Sequence, residues 1–214
     1  MKESLIEQLA FHRFEQSEVS NEAASKEYEV EIYVRLKNPD EVVQKASSHE
    51  LQEQWGCFIP KTDKNAASMA IRVRMTQLVD EEPGYVFCSK TDGGELGRDE
   101  VEHDSCRAQF DQFRLAADQG LKKIRYNVPH HLESIATDIV YEVDVFRNKA
   151  GELVPWTKID AEVQPGTPIR IEDIPFECEE IIIVTPEAKK SDAELRDKIG
   201  KLYAKYFRSE NELI

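Results

Sequence analysis

The sequence predicts an α+β fold in which antiparallel strands close into a β-barrel with helices flanking it. Three observations predict it. Strand-length segments alternate apolar and ionisable residues, segments of helical period stand between and after them, and the ionisable residues of each strand gather on one face. The clearest case is Glu27-Tyr-Glu-Val-Glu-Ile-Tyr-Val-Arg-Leu-Lys37, where charges at 27, 29, 31, 35 and 37 bracket Val30, Ile32, Val34 and Leu36. Successive side chains of a strand point to opposite faces, so one face here is apolar and the other carries three carboxylates and two cations.

Taken in order, residues 2–13 read as a short amphipathic helix and 14–26 as a polar linker. After the first strand, Asn38-Pro39-Asp40 opens a helix expected to run to about Gln52 on a stripe of Val42, Val43 and Ala46. A loop from Gly56 to Ala67 leads to a strand, Met69–Met75, with Arg72 and Arg74 on one face. A turn at Glu82-Pro-Gly84 opens the strand Tyr85–Lys90. Past Asp92-Gly-Gly94, a strand at 98–102 aligns Arg98, Glu100 and Glu102. A helix follows from Ser105 to Asp118, with Phe110, Phe113, Leu115 and Ala117 apolar, and ends near Gly120. The strand Leu121–Tyr126 places Lys123 and Arg125 together, and Asp138–Phe146 does the same for Glu142 and Asp144. A hairpin at Asn148–Gly151 leads to Val154–Val163, where Lys158, Asp160 and Glu162 align. A Pro-rich connection over 165–175, a last strand Glu180–Val184 and a closing helix Ser191–Arg208 complete the chain, the helix opened by a capping box at Ser191-Asp-Ala-Glu194.

Composition bounds what the barrel serves. The 214 residues are 40% hydrophobic and 33% charged, which suits a packed domain rather than a disordered chain. The net charge of −14 excludes broad nucleic-acid or anionic-membrane binding, so an anionic ligand must meet a locally basic site. No apolar run approaches the ~20 residues that span a bilayer, and the N-terminus has no signal-peptide core. The four cysteines (57, 88, 106 and 178) form no CxxC pair, and reduced thiols in a cytoplasmic protein are expected. There is no P-loop and no dinucleotide fingerprint. The adjacent His130-His131 after Pro129 reads as an exposed loop rather than a metal pair, and Cys106 as structural.

A half-buried sheet with its charges in water would carry mixed signs along each strand. Here carboxylates hold 27–31 and 142–144, whereas cations hold 72–74, 90 and 123–125. Burying such charges inside a barrel costs several kcal/mol each unless they pair or bind a charged ligand. A polar channel with a basic and an acidic wall suits a polyphosphate: Arg forks and Lys ammoniums take the phosphates, and carboxylates hold Mg²⁺ or Mn²⁺ that bridge to them.

Six segments, Glu29-Val-Glu31, Ile71-Arg-Val-Arg74, Arg98-Asp-Glu-Val-Glu102, Lys123-Ile-Arg-Tyr126, Tyr141-Glu-Val-Asp-Val-Phe146 and Ile159-Asp-Ala-Glu-Val163, carry a resemblance. Their order and approximate spacing resemble the CYTH superfamily, the triphosphate tunnel metalloenzymes. Each motif alone is weak, and their succession over about 27–185 is specific. The resemblance implies an eight-stranded antiparallel β-barrel forming a triphosphate tunnel over residues 27–185, with a helical extension and linker at 1–26 and a C-terminal helix within 186–214. It implies metal-dependent hydrolysis of inorganic, nucleoside or thiamine triphosphate, or of a triphosphorylated RNA end, with Mg²⁺ or Mn²⁺ as cofactor. A class IV-type nucleotidyl cyclase, or a nucleotide- or polyphosphate-binding protein without turnover, is the alternative.

Carried over by position, Glu29 and Glu31 resemble the glutamates of an E-x-E-x-K signature, and Asp160 and Glu162 the late acidic pair; together they would hold metal. Arg72, Arg74, Lys90, Lys123 and Arg125 resemble the phosphate-binding residues, and Arg98, Glu100, Glu102 and Asp144 further catalytic positions of the tunnel. The signature lysine is replaced by Tyr33; Arg35, on the same face and ~6.6 Å further along, is the expected stand-in. If that replacement weakens the chemistry, Tyr33→Lys restores it. Residues 1–26 are free to cap the tunnel or to pair with a second copy in a homodimer.

Overall fold

The first strand fixes which face of the sheet is apolar. The computed structural model describes residues 28–59, 69–91, 100–133, 135–148, 152–164, 166–207 and 209–210, so the expected helix at 2–13 and linker at 14–26 lie outside the described residues. In β1 (Tyr28–Leu36), Val30, Ile32 and Val34 are fully buried on one face and Glu29, Glu31 and Tyr33 lie on the other. Next come α1 (Asp40–Lys45), β2 (Ser48–Ile59), β3 (Met69–Leu78), β4 (Gly84–Thr91) and β5 (Glu100–Asp104). They are followed by α2 (Arg107–Ala116), β6 (Gln119–Leu132), β7 (Thr137–Arg147) and β8 (Leu153–Val163). A 3₁₀ turn (Ile171–Asp173), β9 (Cys178–Val184), α3 (Pro186–Ser191), α4 (Ala193–Leu202), a π-helical turn (Tyr203–Phe207) and the two-residue β10 (Ser209–Glu210) close the chain.

The sheet is antiparallel, with nine strands in the order β5-β4-β3-β2-β6-β7-β8-β1-β9 and β10 beside β6. Eight strands closed into a barrel were expected; the additional strands are β2 and the two-residue β10, and among the described residues no pairing joins the outer strands β5 and β9, so the sheet is not seen to close. The helix predicted to reach Gln52 stops at Lys45, and Gly56 to Ile59, predicted as the start of a loop, belong to the strand. Two flanking ladders explain the difference: β2 pairs with β3 from Glu50 to Ile59 and with β6 from Ser48 to Gly56, and these pairings outweigh local helix propensity. A helix as short as α1 presents little apolar surface, so Val42 is buried while Val43 stays 57% exposed. The ring of Trp55 lies over Gly120, its cross-strand partner; a Cβ there would stand 2.4 Å from the ring.

The strand β6 runs through Pro129, His130 and His131, which were expected in a loop. Beyond Asn127 it is paired only with β7, so Pro129 leaves no missing donor in a second ladder. His131 is exposed, as expected, and bonds Asp138 at 2.6 Å. The helix α2 lies on the apolar face, with Tyr85 against Phe110 and Phe87 against Phe113, while Leu115 is 73% exposed rather than packed. The long closing helix is broken at Asp192, whose side chain caps α4 by accepting from the Leu195 amide. Ser191 is the last residue of α3 and bonds the Glu187 carbonyl, so the expected capping box is not formed.

Two apolar clusters hold the sheet. One joins Val30, Ile32, Val34, Tyr141, Val143 and Ile159 to Val42 of α1 and to Ile174 and Phe176. The other gathers Tyr33, Phe146, Trp156, Ile182 and Val184 beneath Ile199 of α4 and Phe207 of the π turn. Tyr33 shares its face with Glu31, so this second cluster fills one end of the charged face of the sheet. Among the described residues no helix is long and apolar enough to cross a membrane.

Candidate functional site

Register alone assembles the site, because residues opposite each other in an antiparallel ladder share a face. Glu29 faces Glu162, Glu31 faces Asp160, and Asp160 faces Glu142. The next row runs Tyr33, Lys158, Asp144, Arg125 and Glu50 across β1, β8, β7, β6 and β2. Lys123 stands opposite Gln52 and Phe146, Arg74 opposite Gln54 and Val86, and Arg72 opposite Gly56 and Cys88. Lys90 and Glu100 are partners in the β4–β5 ladder, as are Cys88 and Glu102. Every candidate residue within the described strands thus belongs to one face. Arg98 lies outside the described residues, and only the backbone register of Lys90 and Glu100 is described.

Depth varies across this face. Glu29 and Glu162 are exposed and Glu31 is half-buried, while Asp160 is 5% and Asp144 only 1% exposed. Carboxylate oxygens of Glu29, Glu31 and Asp160 lie within 4.8 Å of one another, close enough to share a metal ion. Lys158 sits among them, its Nζ 2.5 Å from Asp160 Oδ1 and 3.8 Å from both glutamates. The Lys158–Asp160 approach lies off the direction a hydrogen bond requires, leaving that buried Oδ1 without a hydrogen-bond donor. Three carboxylates grouped this closely around one ammonium suit a hard cation. Glu29, Glu31 and Asp160 therefore fit Mg²⁺ or Mn²⁺, with Glu162 paired to Glu29 at the rim.

The titration behaviour follows from the packing. Burial opposes the charge of Lys158, but Asp160, Tyr203 and the two glutamates outweigh it and hold its ammonium above the ordinary lysine value. Burial pushes the Asp160 carboxyl up to about 6, helped by Glu29 and Asp144 and opposed by Lys158. Burial also works against Glu31, yet Lys158 and Lys189 hold its carboxyl below the ordinary value. Lys189, from α3, reaches both Glu31 oxygens at 2.9 Å, and the Tyr33 hydroxyl donates to Glu31 at 3.1 Å.

Beside this cluster lies a second charged group. Asp144 accepts from Lys123 and, at 2.8 and 3.0 Å, from Arg125 Nε and Nη2. Arg125 also donates to Glu142 and comes within 3.5 Å of Asp160. Burial would raise the Asp144 carboxyl, but Lys123 and Arg125 reverse that and keep it low. Lys123 is pushed down to about 8, first by burial and then by Arg125, against the pull of Asp144. Charges sorted by sign along each strand therefore meet opposite charges across strands. Arg74 is less committed: it is half-buried and meets the exposed Glu102 at 3.1 Å.

Arg35 is not brought to the cluster. It stands beyond Tyr33, whose ring is fully buried in the second apolar cluster, and pairs with the exposed Glu179 at 2.7 Å. The cation opposite Tyr33 is Lys158. Sequence reasoning aligned Lys158 with Asp160 and Glu162 without giving it a role; its signal was that it is the one cation in that acidic alternation. Lys189 lay on a helix with no charge pattern to single it out.

No protein-family model matches this chain, and neither does any curated protein sequence. Solved structures do resemble it. PH1819 from Pyrococcus horikoshii OT3 is 17% identical with a TM-score of 0.41, over 65% of this chain and 80% of its own. The hypothetical protein NE1496 is 20% identical with a TM-score of 0.40, over 76% of this chain and 92% of its own. HpAC1 from Hippeastrum, described as an adenylyl cyclase candidate with a dominant triphosphatase activity, is 17% identical with a TM-score of 0.36, over 64% and 80%. Likenesses this loose carry no argument about activity, so the functional reading rests on the side chains of the charged face.

Proposed function

We propose that this chain is a metal-dependent triphosphatase whose charged sheet face encloses a tunnel of the CYTH type. One observation carries the reading. Three carboxylates within 4.8 Å of one another, one with a buried oxygen lacking a hydrogen-bond donor, share a sheet face with Arg72, Arg74, Lys90, Lys123 and Arg125. Arg74 and Arg72 grip the distal phosphates, with Lys90 beside them on the same face. Lys123 and Arg125, already oriented by Asp144, meet the phosphates nearest the acidic cluster. Glu29, Glu31 and Asp160, with Glu162 at the rim, hold Mg²⁺ or Mn²⁺. Bound metal supplies Lewis-acid polarisation of the phosphoryl oxygens and lowers the pKa of attacking water. The apolar cap of Tyr33, Phe146, Trp156, Ile199 and Phe207 keeps bulk water from that end of the face.

A second reading, binding without turnover, is favoured by the position of Lys158, whose ammonium already neutralises part of the acidic cluster. One experiment separates the two. Purified protein is incubated with Mg²⁺ or Mn²⁺ and inorganic triphosphate, thiamine triphosphate, ATP or 5′-triphosphorylated RNA. Released phosphate supports the triphosphatase, and saturable binding without product supports the second reading. Pyrophosphate with a cyclic nucleotide would replace both by a nucleotidyl cyclase, and no binding at all would refute the site.

A further inference from the structure

We propose that Lys158 is a resident cation of the acidic cluster, an internal ammonium that competes with the divalent ion for the same carboxylates and sets how tightly that ion binds. This rests on the metal assignment of the proposed function and names what regulates it. Three carboxylates this close repel one another, and Asp160 and Asp144 have little water to screen them. Lys158 Nζ lies between β1 and β8 within 3.8 Å of all three cluster carboxylates, and its side chain is only 11% exposed. Tyr33, its partner across the ladder, is a neutral ring packed against Tyr203 and Phe207, with ring centroids 6.1 and 6.2 Å away. The ladder position opposite Lys158 thus holds no charge, and the ammonium meets the acids.

Asp160 Oδ1, buried and in ion-pair contact with the ammonium at 2.5 Å, is the atom for which the two cations compete. Three carboxylates against one central ammonium leave a net negative charge for a further cation. Lys189 offsets part of it through Glu31, and Arg125, shared with Asp144 and Glu142, approaches Asp160 at 3.5 Å. A divalent ion bound to this cluster sits within a few ångströms of the ammonium, where like charges in a partly buried site repel by several kcal/mol. That repulsion lowers divalent affinity, while the attraction of the ammonium keeps the acids in place when no metal is bound.

The test is calorimetric titration of Mn²⁺, with thermal unfolding in EDTA and in Mn²⁺, for the wild type, Lys158→Met and Lys189→Met. The expected result is Mn²⁺ binding at least tenfold tighter in Lys158→Met, a larger rise of its Tm with Mn²⁺, and a smaller gain of a few-fold in Lys189→Met. If Lys158→Met is unfolded in EDTA, Mn²⁺ should restore its folded state by taking the place of the ammonium. Equal or weaker Mn²⁺ binding in a folded Lys158→Met, or an unfolded one that Mn²⁺ does not rescue, overturns the proposal. These readouts use no triphosphate, so a chain that neither binds nor splits triphosphate would refute the proposed function while leaving this result to stand or fall alone.

Discussion

Asp144→Asn probes the charged face most sharply, because it removes one charge and almost no volume. The carboxylate is 1% exposed and pairs with Lys123, whose side chain is 7% exposed, while Arg125 retains Glu142 and Asp160. The substitution leaves Lys123 as a buried ammonium without a counter-charge, which costs about 3–5 kcal/mol. The amide can still accept one hydrogen bond, so the lower end, ~3 kcal/mol, is expected. For a chain of this size that is a fall in Tm of roughly 6–12 °C. Urea denaturation followed by far-UV circular dichroism measures it as a drop in midpoint with unchanged slope. Adding Lys123→Met removes the stranded charge and should recover about half the loss. A single-mutant cost below ~1 kcal/mol, or a double mutant worse than the sum of the singles, would refute the claim that Asp144 neutralises Lys123 in a dehydrated setting.

Two other outcomes follow from the same packing. Tyr33→Lys should fail to raise any activity and should lower stability by roughly 3 kcal/mol, since it removes a fully buried ring and sets a second ammonium opposite Lys158; a rise in both phosphate release and Tm would contradict this. Anion binding should weaken as pH rises from 7 to 9, because Lys123, pushed down to about 8, loses its charge over that window. The sign for stability is opposite. The folded value lies below the ordinary 10.5, so the folded state holds fewer protons and this residue's contribution to stability improves between pH 8 and 10.5. Titration of inorganic triphosphate at several pH values checks the first, and denaturation midpoints of the wild type against Lys123→Met check the second.

The face shared by the candidate residues was legible because strand alternation is local: Glu29, Glu31, Arg72, Arg74, Lys123, Arg125, Asp144 and Asp160 fall on one side by parity alone. What parity does not carry is which strand lies beside which. The β2 strand was read as helix and loop, since its pairing partners at Glu50–Ile59 and Ser48–Gly56 are distant in sequence. For the same reason the signs looked segregated: Asp144 meets Lys123 and Arg125, and Lys158 meets Glu29 and Glu31, only across ladders. Arg35 was the natural substitute for a missing lysine along one strand, yet the cation that arrives comes from β8. The cap over Tyr33 was equally hidden, because Tyr203 and Phe207 sit in the closing segment with nothing local to say which face they cover.

In the proposed function a triphosphate is held on this face through a metal shared by Glu29, Glu31 and Asp160. Calorimetric titration of inorganic triphosphate, with and without Mn²⁺, into the wild type and Glu31→Gln tests it most directly. The expected result is saturable one-to-one binding that tightens at least tenfold with Mn²⁺ in the wild type and loses that gain in Glu31→Gln. Binding indifferent to Mn²⁺, or no saturable binding in either condition, would contradict it.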